Sequence, residues 1–196
     1  MNDFAETSSG NRISRRSQIK GSDHILISGY TTISANAHLN CDVKLKSSKE
    51  SGALKLGKFV FIDEDVTITP ATETSGESVH LPSIIGSYVM IGKATEVRSV
   101  SIGSRVAIGE NCKLGDRSTI YDCVVIASNT ILPNNTNIPP FSLVYTDQEG
   151  LNRYPRPKTP SIIIEPLHES YKRLFEENAK LAYVNSQFTP SEMPRF

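Results

Sequence analysis

The chain has no tryptophan, three cysteines and four histidines in 196 residues. Cys41, Cys112 and Cys123 are too few, and odd in number, for a disulfide framework, and none stands in a CxxC pair. Such thiols suit a reducing compartment, the cytosol. Charge is balanced, 21 Lys and Arg against 21 Asp and Glu. No surplus of either sign points to nucleic acid, an anionic bilayer or an acidic substrate. No stretch approaches the roughly 20 apolar residues that a bilayer-spanning helix needs. Residues 1–18 are polar and do not read as a secretory signal, and without one the sequon Asn134-Asn135-Thr136 reads as chance.

What the chain does have is a strict beat. From Ile27 to Val144, aliphatic residues recur at every sixth position. Ile85, Ile91 and Val97 form one run, and Ile102, Ile108, Leu114, Ile120, Ile126, Leu132, Ile138 and Val144 form another. Four places after each comes a small or β-branched residue, among them Thr31, Ala37, Val66, Cys112, Ser118 and Thr130. That position lies two before the next aliphatic, so both share one face of a strand. Glycine often follows the aliphatic directly, as at Gly57, Gly86, Gly92, Gly103, Gly109 and Gly115. Asn36, Asp42, Asp65, Asn111, Asn129 and Asn135 occupy the third place, where a bend needs residues tolerant of positive φ. The period fits neither a helical stripe nor one continuous strand. It predicts a solenoid, with three hexads making a triangular coil of about 18 residues and coils stacked as parallel strands roughly 4.8 Å apart.

The beat breaks in three places. Leu45 to Leu56 predicts an insertion at 46–55, Ile68 to Ile85 predicts another at 69–84, and the step from Val97 to Ile102 is one residue short, which requires a tightened corner. The expected organisation is a disordered segment at 1–8, a β-helix over 9–146, a linker at 147–160, a short strand and helix within 161–184, and a mobile tail at 185–196. Pro166 is placed at the first helical position, and Leu167, Tyr171, Leu174, Phe175, Leu181 and Ala182 supply an apolar stripe for a helix over 166–183 laid along one side of the prism.

Hexapeptide solenoids include acyltransferases and γ-class carbonic anhydrases. The anhydrases hold zinc with three histidines, and the transferases need a histidine base beside their acceptor. Here His24, His38, His80 and His168 are scattered, no two at the spacing of a metal pair. Ligands assembled between copies of a trimer are the remaining route to a metal. Glu64 and Glu96 read as solvated corner charges, and Gly103 and Gly109 follow the hexad and form no phosphate loop. Arg12, Arg15 and Arg16 read as a solvated segment or a docking patch. The sequence therefore nominates no catalytic, cofactor-binding or metal-binding residue.

Ser9-Gly10-Asn11-Arg12-Ile13-Ser14-Arg15, then Ser17 and Gly21-Ser22, resemble the opening of the dynactin subunit 5 family. Leu81-Pro82, Ile85-Gly86-Ser87-Tyr88-Val89, Ile91-Gly92-Lys93, Asp122-Cys123, Asn129-Thr130, Leu132-Pro133 and Ile138-Pro139-Pro140-Phe141 follow in order, as does a C-terminal helix with Tyr171. The resemblance spans about residues 8–180; the stretch Leu39-Asn40-Cys41-Asp42 departs from it, and the 46–55 bulge and the tail look longer. It implies an all-β, left-handed parallel β-helix with a C-terminal helix on its side; handedness comes from the resemblance alone. It further implies a non-enzymatic subunit of the dynactin pointed-end complex, in the cytoplasm and cytoskeleton, without cofactor. Dynactin subunit 6, the actin-related protein of the pointed end, dynactin subunit 4 and dynein cargo adaptors are its implied partners, with no nucleic acid and no membrane insertion. The competing readings are a γ-carbonic-anhydrase-like or acyltransferase enzyme and a β-helix adaptor unrelated to dynein.

Overall fold

The computed structural model describes residues 3–46, 52–73, 79–147 and 161–186. The strands arrive coil by coil. The first turn of the prism holds β1 (Phe4–Glu6), β2 (Arg12–Ser14), β3 (Gln18–Lys20) and β4 (Ile25–Gly29). The next holds β5 (Thr32–Ile33), β6 (His38–Asn40), β7 (Lys44–Leu45) and β8 (Leu54–Lys58). Then come β9 (Val60–Ile62), β10 (Thr67–Ile68), β11 (Val79–His80) and β12 (Ser83–Ile85). Three compact coils follow: β13 (Val89–Ile91), β14 (Glu96–Val97) and β15 (Ser101–Ile102); β16 (Val106–Ile108), β17 (Lys113–Leu114) and β18 (Thr119–Ile120); β19 (Val124–Ile126), β20 (Ile131–Leu132) and β21 (Asn137–Ile138). The chain closes with β22 (Ser142–Thr146), β23 (Ile162–Pro166) and the helix α1 (Tyr171–Asn185).

Stacking these coils produces three walls. Wall A runs β1-β2-β5-β9-β13-β16-β19-β22-β23, wall B runs β3-β6-β10-β14-β17-β20, and wall C runs β4-β8-β12-β15-β18-β21. The rungs within the prism are parallel, whereas β1 and β23 pair antiparallel at the two ends of wall A. Each wall contributes one aliphatic column to the interior, for example Ile33, Ile62, Ile91, Ile108, Ile126 and Val144 from wall A, all at most 4% exposed. Each fully buried Ile or Leu is worth roughly 1.5–3 kcal/mol, so the columns are the main source of cohesion. Small residues line the corners between them, including Thr31, Ala37, Val66, Thr95, Cys112, Ser118 and Thr130, each fully buried. Glycine follows the aliphatic where coils nearly touch: a Cβ on Gly109 would lie 2.5 Å from the Ser128 backbone nitrogen. The short step before Ile102 is closed by serines. Ser83 donates to the Ser99 carbonyl at 2.6 Å, and the Ser99 and Ser118 hydroxyls share a bond of 2.7 Å.

The structure departs from the sequence expectations in four places. Leu45 belongs to no column. It still packs against the core, but with Lys44 it forms β7, which pairs with β11 from the next excursion as a separate two-stranded sheet. Both excursions leave at the corner between walls B and C, so they stack as an ear, which explains how the unequal breaks in the beat coexist. The insertion limits also shift, because Leu54 and Lys55 already run in β8, and Ser83 and Ile84 in β12; residues 47–51 and 74–78 lie outside the described set. At the N-terminus, where disorder is expected over 1–8, Phe4–Glu6 form β1 and cover the edge of β2, which an open sheet end otherwise leaves unpaired. Finally, Pro166 ends β23 opposite Ser142, and the helix starts at Tyr171. An antiparallel ladder from Ile162 to Pro166 holds that segment extended before the helical stripe can begin. Residues 148–160 of the expected linker and 187–196 of the expected tail lie outside the described set.

Candidate interaction surface

Most bends use left-handed backbone, at φ values of 53–63° for the non-glycine residues; Asp42, expected at such a bend, does not adopt it. Asn36, Asp65, Asn111, Asn129 and Asn135 are among them, and Asn and Asp visit this region at the least cost after glycine. At the corner from wall C to wall A the same conformation is imposed on bulky residues, namely Tyr30, Phe59, Tyr88, Arg105, Cys123 and Phe141. Their side chains form a ladder. Tyr30 and Phe59 stack at 4.9 Å, Phe59 and Tyr88 at 5.5 Å, and the planes deviate by 9° and 5°. Aromatic stacking worth about 0.5–1.5 kcal/mol per pair offsets backbone strain of about 1 kcal/mol or more per residue.

Helix α1 descends this ladder from the last coil toward the first. The Leu167 N–H donates to the Phe141 carbonyl at 2.7 Å, and Arg105 Nε donates to Glu176 Oε1 at 2.6 Å. The Lys180 ammonium sits 5.6 Å from the Tyr88 ring centroid. Tyr183 meets Tyr30 and Phe59 edge-on at 5.7 and 6.0 Å, and its hydroxyl donates to the Gly10 carbonyl at 2.8 Å. Phe175, Ala179 and Ala182 are the buried face. Arg12 finishes the clasp. It is buried, its Nη1 donates to the Tyr183 carbonyl and to Ser186 Oγ, and its guanidinium lies 4.0 Å over the Tyr183 ring. Of the three arginines expected as a solvated segment or docking patch, Arg12 is therefore an internal strut, while Arg15 and Arg16 are exposed.

The helix covers only part of wall A. From the third coil on, the outward residues of that wall are Phe61, Met90, Ala107, Val125 and Leu143, one per coil in direct register, while Thr32 and Arg12 hold the same column in the first two coils. On wall B the equivalent column reads His38, Thr67, Glu96, Lys113 and Ile131, and on wall C Leu26, Lys55, Ile84, Ser101, Thr119 and Asn137. From the third coil on, wall A is thus the consistently apolar one. Between it and α1 lies a groove of about 680 Å³. Tyr171, Leu174 and Leu181 stand exposed on its helical side. Asp63, Glu64, Lys93 and Glu110 form the opposite rim, where Lys93 pairs with Glu64 at 2.9 Å. Burial pushes the Asp63 carboxyl above its usual range; the Glu64 N–H and Lys93 oppose this, while Glu64 and Glu110 reinforce it. The sequence carried a signal for this surface, an apolar residue just before the aliphatic in each wall A hexad from Phe61 to Leu143.

The histidines do not converge. His24 and His168 are exposed, His38 faces outward on wall B, and His80 sits in the ear with Nδ1 2.8 Å from the Pro70 carbonyl. None lines the groove. Glu96 pairs with Lys113 at 3.5 Å, as Glu64 does with Lys93, so each corner carboxylate meets a lysine one coil on. Among the described residues no group of three or more His, Cys, Asp or Glu is placed to hold a metal. All three cysteines are buried, and burial pushes the Cys41 thiol up to about 12 and raises Cys112 and Cys123 as well. No described helix is long and apolar enough to cross a membrane.

Residues 1–179 match the family model of dynactin subunit 5. The chain belongs to the dynactin subunit 5 family. A curated relative, dynactin subunit 5 of Dictyostelium discoideum, is 32% identical over 102 residues. That alignment spans 52% of this chain and 48% of the relative, about half of each. Among solved structures, a hexapeptide transferase family protein from Anaplasma phagocytophilum superposes with a TM-score of 0.52 at 15% identity, covering 93% of this chain and 94% of its own. A UDP-N-acetylglucosamine acyltransferase gives 0.47 at 16% identity, over 92% and 85%. At 15% identity the likeness to the Anaplasma protein shows the fold, a left-handed parallel β-helix, and not the chemistry. For this member of the dynactin subunit 5 family, the clasped helix and the apolar wall are the features a subunit can present to neighbours.

Proposed function

We propose that the protein is a non-enzymatic structural subunit of the dynactin pointed-end complex, working in the cytoplasm and on the cytoskeleton. It supports the engagement of cargo and adaptors, endosomal ones included, by dynein–dynactin during microtubule-based transport. The observation that carries this reading is the family match over residues 1–179. Dynactin subunit 6, the actin-related protein of the pointed end and dynactin subunit 4 are its neighbours in this proposal. A rigid prism suits the role, because repeat stacks hold broad surfaces fixed without needing a partner to order them. The edge of wall C at β21 is open to a further layer, whereas at the edge of wall B the Ile131 N–H of β20 already donates to Thr146 Oγ1.

Affinity purification of the full chain from native cytosol tests the proposal. Recovery of the actin-related filament subunits together with subunit 6 is expected. Co-expression with subunit 6 should also convert a self-associating chain into a defined complex. A monodisperse monomer indifferent to that partner, and a pull-down free of filament subunits, would refute it. The fold is shared with acyltransferases, so the competing enzyme reading is checked by metal analysis and by an acyl-CoA screen. Stoichiometric zinc or release of CoA would replace the structural role with a catalytic one.

A further inference from the structure

A wall of this prism is wide enough for two helices, and α1 occupies one lane. A hexad side spans roughly 20 Å of chain, while a helix with its side chains is about 10–12 Å across. Among the described residues nothing fills the second lane, which runs along α1 over the Phe61, Met90, Ala107 and Val125 steps. Three inter-strand spacings make it about 14 Å long, which is nearly three helical turns. Its floor is apolar, its α1 side is uncharged and sets Asn178 and Asn185 among apolar side chains, and the far rim sets three carboxylates, Asp63, Glu64 and Glu110, against one ammonium, Lys93. Contiguous apolar surface with a polar border marks an interaction site on soluble proteins, and this border prefers a cation.

We infer that the lane is a docking site for an amphipathic helix of a partner protein, its apolar stripe seated on Met90, Ala107 and Val125 and its basic flank facing the Asp63–Glu110 rim. Two other occupants fit less well. A second copy of this chain has its own helix already seated and brings the same negative rim. Residues 187–196 of the same chain contain Pro190 and Pro194, which break a helix, and offer one cation, Arg195. The inference stands on the chemistry of wall A alone, so its failure would leave membership of the dynactin complex untouched.

The probe is a fluorescein-labelled 14-residue model helix (a length of about four turns) with leucines on one stripe and lysines beside it, compared with a glutamate twin. Anisotropy is read on the full chain at low and high salt. The lysine helix should bind at least about tenfold tighter than its twin, a difference that salt erodes. Val125→Glu should abolish binding, and Glu110→Lys, on the exposed rim, should cut the preference for lysine at least about threefold while leaving the thermal melt unchanged. No binding, equal binding of both helices, or indifference to both variants would overturn the proposal. Two further outcomes overturn it by naming another occupant: a tenfold affinity gain on deleting 187–196 assigns the lane to the tail, and a dimer dispersed by Val125→Glu assigns it to a second copy.

Discussion

Replacing Arg12 with alanine should loosen α1 without loosening the prism. The side chain is 7% exposed and its Nη1 serves both the Tyr183 carbonyl and Ser186 Oγ, so truncation strips acceptors at a helix C-terminus in a place water barely reaches. Hydrogen bonds from a charged donor contribute about 1.5–3 kcal/mol. The guanidinium over the Tyr183 ring adds roughly 0.5–2 kcal/mol. The outer ion pair to Glu6, whose carboxylate is 58% exposed, adds little. Together these give about 3 kcal/mol, or on the order of 100-fold in the undocking equilibrium of the helix. Native-state hydrogen exchange reads that equilibrium locally. Amides of α1 should exchange about 100-fold faster, while those of β13, β16 and β19 keep their rates. Arg12→Lys should fall between, because it keeps the charge and loses the fork. Unchanged protection in α1, or an equal acceleration in the coils, would refute the reasoning.

Four further outcomes follow from the same geometry. Ile108→Asp should cost about 4 kcal/mol or more by adding an unpartnered buried carboxyl to lost aliphatic packing, whereas Lys113→Asp on the outer face of wall B should change urea stability by under about 1 kcal/mol; equal effects would invert the inward and outward phase. Gly109→Ala drives a Cβ against the Ser128 backbone and should cost about 1–3 kcal/mol in a thermal melt. Burial alone would raise the Asp116 carboxyl, but hydrogen bonds from Thr72 and the charges of Arg98 and Arg117 outweigh it and hold it below the usual range. The anchorage of the ear is then complete at neutral pH and is lost as pH falls through that lowered value, so amide protection at Thr72 and Leu81 should drop on acidification, and should be low and flat with pH in Asp116→Asn. The buried Cys41 thiol, pushed up to about 12, should resist a maleimide near neutral pH until denaturant is added.

The columns were legible in the sequence because each aliphatic obeys one local rule, repeated. Ile91, Ile108 and Ile126 are spaced in the chain as they are stacked in space. Asn and Asp bends were legible for the same reason. Tyr30, Phe59 and Tyr88 were not, since nothing local favours a left-handed aromatic, and only stacking across coils and the edge of Tyr183 make it tolerable. The pairing of β7 with β11 depends on two excursions leaving by the same corner, which a hexad count does not register. Arg12 looked like one of three exposed cations because its acceptors, Tyr183 and Ser186, lie more than 170 residues away. The apolar outer stripe from Phe61 to Leu143 was readable in principle, but it shows only when hexads are sorted three by three.

The joining of Arg12 to Tyr183 and Ser186 ties the order of synthesis to the order of assembly. A ribosome releases the strut before the coils and its acceptors only after the whole prism has been made. The coils must therefore hold themselves together while wall A is still bare along both lanes, and during that interval a nascent chain presents its greasiest side to whatever is nearby.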